Sequence, residues 1–391
     1  MKSRVFLIIL LILLFSQCFS FIGWNGTWGG YVVKAVCLLM ALIVLVEHKK
    51  LPVTPISKIV GFLMMLPFLS DFGAAVIHNQ SLAEGILQTS YSLTYLFFYL
   101  LYIWKVDYKI ILKICLCFGV FWCAMEIIQQ FTYPHIWFAT RMETRDKAIE
   151  IRNGIYRLNM EGREFGLLLL FYSFQKYIEK NRKIFLLGIL LGLVGIYMLA
   201  TRQIIAVALG CLFYALWVKH KIKIGVILGL IAIGGFIYLN FETLFGDYIQ
   251  MTEDMDENYI RFIAYNYYGL EYNNGNLLAA IIGNGDPGRS AYGMEIARLE
   301  DFGLYRADIG IVGMYSLYGI FYVLVIIVFF AYTIKKRKYI AVYLQMYILY
   351  MLVTSIMLHH FGYSTHHIMT LCCVLYLTDK SIQINKLKSS E

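Results

Sequence analysis

Apolar residues run along this chain in long blocks, each closed by a short polar break. A helix that crosses a bilayer needs about 20 mainly apolar residues. Blocks of that kind fall at about 5–23, 30–46, 57–77, 86–104, 109–128, 160–176, 184–200, 204–218, 222–240, 307–333, 339–358 and 366–379. The pattern predicts an all-α polytopic membrane protein with about 12 transmembrane helices, forming a single integral membrane domain over 1–391. The first block, MKSRVFLIILLILLFSQCFSFIGW, is basic and then apolar, like a secretory signal peptide. It lacks an A-x-A-like cleavage site, so it is read as the first span.

The polar breaks alternate in charge. EHKK (47–50), KVDYK (105–109), KYIEKNRK (176–183), KHKIK (219–223) and KKRK (335–338) are basic. The breaks between them, WNGTWGG, SDFGAAVIHNQSLAEG, TRQ and HHFGYSTHH, hold one basic residue, Arg202. Lysine and arginine mark the cytoplasmic side, so both termini are predicted to be cytoplasmic. Two connections on the other side are long, about 129–162 and 241–306. Connections of that length are functional or disordered, and these are too aromatic for disorder. Within the second, DENYIRFIAYNYYGLEY (256–272) predicts an amphipathic helix lying at the outer interface.

Composition agrees with the pattern. Hydrophobic residues make up 60% of the chain and charged residues 15%, against about 25% charged in a soluble domain. The eight cysteines all sit in apolar runs, where they read as small packing residues. No nucleic-acid partner and no cofactor is expected.

Charge adds a second asymmetry. Of 21 lysines, 19 fall in basic breaks, tails or the adjoining span ends. Ten of 13 arginines fall on the opposite side: Arg141, Arg145, Arg152, Arg157, Arg163, Arg202, Arg261, Arg289, Arg298 and Arg306. Orientation rules treat the two cations alike. Guanidinium differs in presenting a rigid fork of donors to phosphate or carboxylate and in keeping its charge when desolvated. The bias predicts an outward-facing cavity for an anion such as pyrophosphate. The bland alternative is pairing with the many acids on the same side. Arg202 has no acid in its own turn, and Arg163 and Arg306 stand at span ends, where a charge needs a partner or a ligand.

Three stretches, YRLNMEGREFGLLLLF (156–171), ATRQIIAVALG (200–210) and IIGNGDPGRS…LYRADIGIVGMYSLYGIFYVL (281–324), carry a resemblance to the O-antigen polymerase (Wzy) family of bacterial polysaccharide polymerases, relatives of the O-antigen ligases. The motifs cover about a fifth of the chain, and their order and shared outer placement carry the match. The resemblance implies a glycosyltransferase of the bacterial inner membrane that acts at its periplasmic face. It would move a growing chain from undecaprenyl pyrophosphate onto the next lipid-linked repeat unit, without a metal. The implied partners are the lipid-linked oligosaccharide, the bilayer and a chain-length regulator. The ligases carry a histidine in the large outer loop, and this chain has none between Phe241 and Arg306. That weighs against a ligase and leaves the base open. A transporter or flippase of the same lipid-linked glycan is the other alternative, since twelve spans suit it equally.

The chemistry needs cations aimed at a departing diphosphate and a base for the acceptor hydroxyl. Arg202, Arg163 and Arg306 are the leading candidates for the first task, then Arg157 and Arg289. Asp308, Glu161, His359 and His360 are the candidates for the second. Asp308 has a structural alternative as N-cap of the following helix, and Glu161 as an arginine partner. The histidines of HHFGYSTHH (359–367) lack a known zinc spacing and a neighbouring carboxylate in sequence, so interfacial packing ranks above metal binding. GNGDPG (283–288) is read as a turn in the outer loop.

Overall fold

A computed structural model describes residues 2–16, 27–138, 151–152, 154–156, 158, 160–199, 201–219, 260–362 and 364–389. Among these the protein is mostly helical. In chain order the described helices are α1 (Lys2–Ser16), α2 (Thr27–Val46), α3 (Pro55–His78), α4 (Leu82–Thr89), α5 (Leu96–Ile103), α6 (Tyr108–Thr132), α7 (Arg163–Lys180), α8 (Ile184–Met198) and α9 (Arg202–Val218). Beyond residue 259 they are α10 (Ile260–Asn266), α11 (Leu277–Ile282), α12 (Ala291–Asp301), α13 (Gly310–Lys335), α14 (Val342–Thr354) and α15 (Thr365–Lys388). A two-residue hairpin pairs Ile151–Arg152 with Ile155–Tyr156.

Helices occupy the described part of every predicted block; the block at 222–240 lies outside the described residues. Four are long and apolar enough to cross a membrane: α3, the continuous α4–α5 rod, α6 and α13. Their ends follow local chemistry. Thr54 and Ser57 form a reciprocal capping box ahead of Pro55, and Asn79 ends α3 in the left-handed conformation. Asp107 caps α6 by accepting from the Lys109 amide at 2.9 Å. The polar break expected at 70–85 shrinks to 79–81, which places Asp71 inside α3.

α15 is the central element, packed on α1, α5, α6, α7 and α14. Nearly every residue from Thr365 to Asp379 is buried, the pattern of a helix with neighbours all round. Beside it α6, α7 and α8 interlock through small residues. A Cβ at Gly188 would meet Ser173 at 2.3 Å, and one at Gly166 would meet Trp122 at 2.5 Å. Close backbone approach of this kind is how helices associate without a hydrophobic drive between them. The described cysteines are free thiols, all buried except Cys117.

The GNGDPG stretch departs from expectation. It enters the bundle, with Asn284 and Asp286 buried. α13 is broken at Gly319, where φ is 75°. The carbonyls freed by the break are taken by the inserted segment: Asn284 N donates to Ser316 O at 3.2 Å and Gly285 N to Leu317 O at 2.8 Å. Asn284 Nδ2 adds a bond to Ser316 O at 2.8 Å. The loop after α3 clasps the other side, where Gln80 Nε2 donates to Asp286 O and Gln80 Oε1 accepts from Gly288 N, each at 2.8 Å. A turn signal in sequence became an insertion because a broken helix supplied it with acceptors.

Two smaller expectations change. Residues 256–272, described from Ile260, form α10 and then a π turn at Tyr267–Glu271 that buries Tyr268 against Leu304 and Ile309. Ile309, and not Asp308, holds the N-cap position of α13, and no side chain caps that helix.

A Cβ at Gly319 would stand 2.2 Å from Ile281 O, at a positive φ. Gly319→Ala is expected to lower stability by on the order of 1–3 kcal/mol. Gly210→Ala, where nothing lies within 4 Å, should be neutral or slightly stabilising. The midpoint of thermal unfolding in detergent compares the two.

Candidate functional site at the arginine end

The C-terminal end of α6 carries polar side chains that draw the following connection onto the bundle. Glu126 Oε1 accepts from Met160 N at 3.1 Å. Gln129 Oε1 accepts from Trp137 N and Phe138 N at 3.1 and 2.9 Å. Gln130 bonds both the N–H and the C=O of Tyr156, at 3.0 and 2.7 Å, and Trp122 Nε1 donates to Met160 O at 3.2 Å. These bonds deliver Glu161–Gly162–Arg163 to the start of α7. Gly162 takes φ 102° there, a conformation that glycine reaches without strain.

Two distant stretches meet at this end. Arg163 Nε pairs with Glu164 Oε1 at 3.0 Å, with the arginine side chain 25% exposed. Glu161 Oε2 lies 3.0 Å from His366 Nε2, and Glu164 Oε1 lies 3.7 Å from His367 Nε2. His360 sits behind them. Its Nε2 is 2.6 Å from Thr354 Oγ1, and with Glu164, Tyr347, Met351, His367 and Leu371 it lines a cavity of about 10 Å³, close to the room one water needs. Glu161, Arg163 and His360, named as candidates from sequence, are therefore neighbours.

Arg306 belongs to an adjoining group. It is buried, donates from Nη1 to Tyr292 Oη at 3.1 Å, and stacks its guanidinium 5.7 Å from the Tyr268 ring centroid and 5.9 Å from that of Tyr292. His78 stacks on the same Tyr292 at 4.0 Å. A guanidinium keeps its charge in such an aromatic box. Gly310 and Gly313 let the 355–359 segment close over this arginine: a Cβ at Gly313 would stand 2.7 Å from His359 Nε2, and Ile311 N donates to Ser355 O at 2.8 Å. The two histidines thus lie between two cations, Arg306 acting on His359 and Arg163 on His360.

Arg202 is half-buried as the first residue of α9, so the expected TRQ turn is a helix start. Arg289 is exposed on the 283–290 segment, where its backbone N–H donates to Glu84. Asp308 is exposed at the rim. Arg157 lies outside the described residues. A groove of about 460 Å³ between α3 and α13 is apolar and is lined by Lys58 and Tyr332 at the lysine end.

Sequence reasoning passed over two features. His366 and His367 come onto the acids only through tertiary contact, some 200 positions apart. The second feature is a buried carboxyl pair: Thr89 Oγ1 lies 2.7 Å from Asp71 Oδ1 and 3.3 Å from Asp286 Oδ2. Tyr91 donates to Asp286 Oδ2 at 2.8 Å and also contacts Tyr318 Oη. Burial raises the Asp286 carboxyl above the usual range, and the Tyr91 bond and the Arg306 charge offset part of that rise. The signal was Asp71 inside an apolar run.

Burial pushes His359 and His360 down to about 3; at His359 a hydrogen bond to the Arg306 backbone opposes this more than the Arg306 charge assists it, and at His360 the Arg163 charge assists it. Both rings stay neutral at neutral pH and are poor matches for a general base, whose pKa works best near the operating pH. An unfolded histidine titrates near 6.5. Between about 3 and about 6.5 the unfolded chain therefore binds more protons, and stability falls as the pH is lowered through that window, by at most about 1.4 kcal/mol per pH unit for each ring. Unfolding midpoints from pH 7.5 to 4.5 are expected to fall less steeply in His360→Gln than in the wild type. The comparison isolates the histidine from Asp286, whose raised pKa acts in the opposite sense.

A scan against protein-family models and a search of curated proteins give no match to this chain.

Proposed function

We propose that the protein polymerises lipid-linked oligosaccharide repeat units at the periplasmic face of a bacterial inner membrane. In this reading about twelve helices cross the bilayer, with both termini cytoplasmic. The observation that carries it is the meeting of Arg163 with Glu161, Glu164, His366 and His367 at the arginine end. That grouping joins a permanently charged guanidinium, suited to diphosphate, to a half-buried carboxylate within reach of the same space. The resemblance of 156–171, 200–210 and 281–324 to the polymerase family supports it from sequence.

In the proposed reaction the donor is a glycan on undecaprenyl pyrophosphate. The acceptor hydroxyl oxygen bonds to the anomeric carbon as the bond from that carbon to the diphosphate oxygen breaks. The diphosphate leaves as an anion held by Arg163, with the Arg306 charge behind it. The acceptor proton passes to Glu161. Guanidinium groups fixed before the reaction stabilise developing charge without reorganising.

A second reading, a transporter of the same lipid-linked glycan, draws on Asp71 and Asp286 beside the broken α13. Broken helices and buried ionisable side chains mark substrate and ion sites in transporters. The surface glycan ladder separates the two readings. Arg163→Ala is expected to cut polymerisation by about two to three orders of magnitude, collapsing the ladder to a single repeat unit. Arg163→Lys should restore it poorly, since an ammonium cannot chelate a diphosphate as a fork does. Loss of the single unit as well, with precursor trapped inside the cell, would favour transport.

A further inference from the structure

The histidines at the start of α15 and the acids at the start of α7 form a donor set. His366 Nε2 is 3.0 Å from Glu161 Oε2. Ser364 Oγ is 3.1 Å from both His366 Nε2 and His367 Nδ1, so nitrogens of adjacent rings converge on one point. Ligand-capable atoms of Glu161, His366 and His367 all lie within 4.8 Å of one another. Behind His367, the Glu164 carboxylate stands 3.7 Å from Nε2, and Arg163 holds that carboxylate in place at 3.0 Å.

Two imidazoles and a carboxylate, with a further carboxylate behind one ring, are the ligand chemistry of an open zinc site. Such sites take three protein donors and leave the remaining position to water or substrate. At 3.7 Å the outer carboxylate acts on the ring through its charge, which raises the basicity of a ligating imidazole. A hydrogen bond between Glu161 and His366 accounts for their 3.0 Å contact alone. It gives no reason for the second ring and the Ser364 hydroxyl to face the same point.

We propose that Glu161, His366 and His367 bind a divalent transition-metal ion of the zinc class, with Glu164 as the outer partner of His367. This departs from the metal-free chemistry that the family resemblance implies. The binding site stands on its donor set alone. A part for it in glycosyl transfer, as extra positive charge beside Arg163, rests on the polymerase reading, and with the ion bound Glu161 would serve as its ligand in place of the base.

Full-length protein without a histidine tag is purified in detergent, stripped with a chelator, loaded with Zn²⁺ and desalted. Elemental analysis is expected to find about one zinc per chain, as for a single three-ligand site. Cobalt loading should give visible absorption bands of low-symmetry Co²⁺. Glu161→Gln, His366→Gln and His367→Gln should each weaken zinc binding by at least about 10–100-fold, the scale already seen on removing outer partners. His48→Gln, at an exposed histidine between α2 and α3, should leave it unchanged. Failure of the wild type to retain zinc overturns the proposal, as does undiminished zinc in the triple variant. Glu161, being half-buried, provides the informative variant if the buried His366 position proves intolerant. A zinc-free Glu161→Gln or His366→Gln protein that still builds a full ladder overturns the link to transfer. Zinc retained in a ladder-defective Arg163→Ala protein shows the metal site to be sound apart from the arginine chemistry.

Discussion

Polar groups inside a membrane bundle must find their partners within the protein, since hydrocarbon offers none and each unmet group costs several kcal/mol. Much of the arrangement at the arginine end follows from that constraint. The break at Gly319 frees carbonyls of α13, and the 283–285 backbone is drawn in to meet them. Glu126, Gln129 and Gln130 need partners at the end of α6, and the 137–160 connection supplies amides and a carbonyl. Each insertion carries a charged residue with it: Asp286 in the first case, Glu161 and Arg163 in the second.

The two polar groups that result differ in character. Around Arg163 the side chains are partly open to solvent, and acids, histidines and a guanidinium alternate within hydrogen-bond reach. Around Asp286 the environment is closed, and tyrosine and threonine hydroxyls serve the carboxyls in place of cations. Arg306 adjoins both, acting on Asp286 on one side and on His359 on the other. A buried guanidinium between tyrosines is costly to desolvate, so its placement ties the inserted segment and the 355–360 segment to the same charge. Opposite, at the lysine end, Asp379 gathers Thr54, Tyr102 and Gln383, which fixes the central helix there and leaves the arginine end as the place where chemistry can be exposed.

Much of this was legible in residues taken one at a time. The apolar blocks marked α3, α6 and α13 because hydrocarbon thickness sets their length. Gly310 and Gly313 were visible as a motif, although the reason for them, the approach of the 355–359 segment, was not. The capping alternative for Asp308 falls away because sequence shows adjacency to a helix, while capping depends on the φ/ψ of the turn, and here Ile309 takes that position. The histidine run lacked an acid nearby in sequence and had two in space.

The sequence by itself determined which segments are helical and apolar and how lysine and arginine divide between the two kinds of break. Those properties depend on residue type and spacing along one chain. The tertiary structure decided which arginines have neighbours that matter, that His366 and His367 face Glu161 and Glu164, and that a glycine-rich turn plugs a broken helix. The histidine contacts join residues about 200 positions apart, the Arg306–Tyr292 bond spans 14, and the plug spans about 30. Such contacts are set by packing and by the need to satisfy buried polar groups, which no local pattern records.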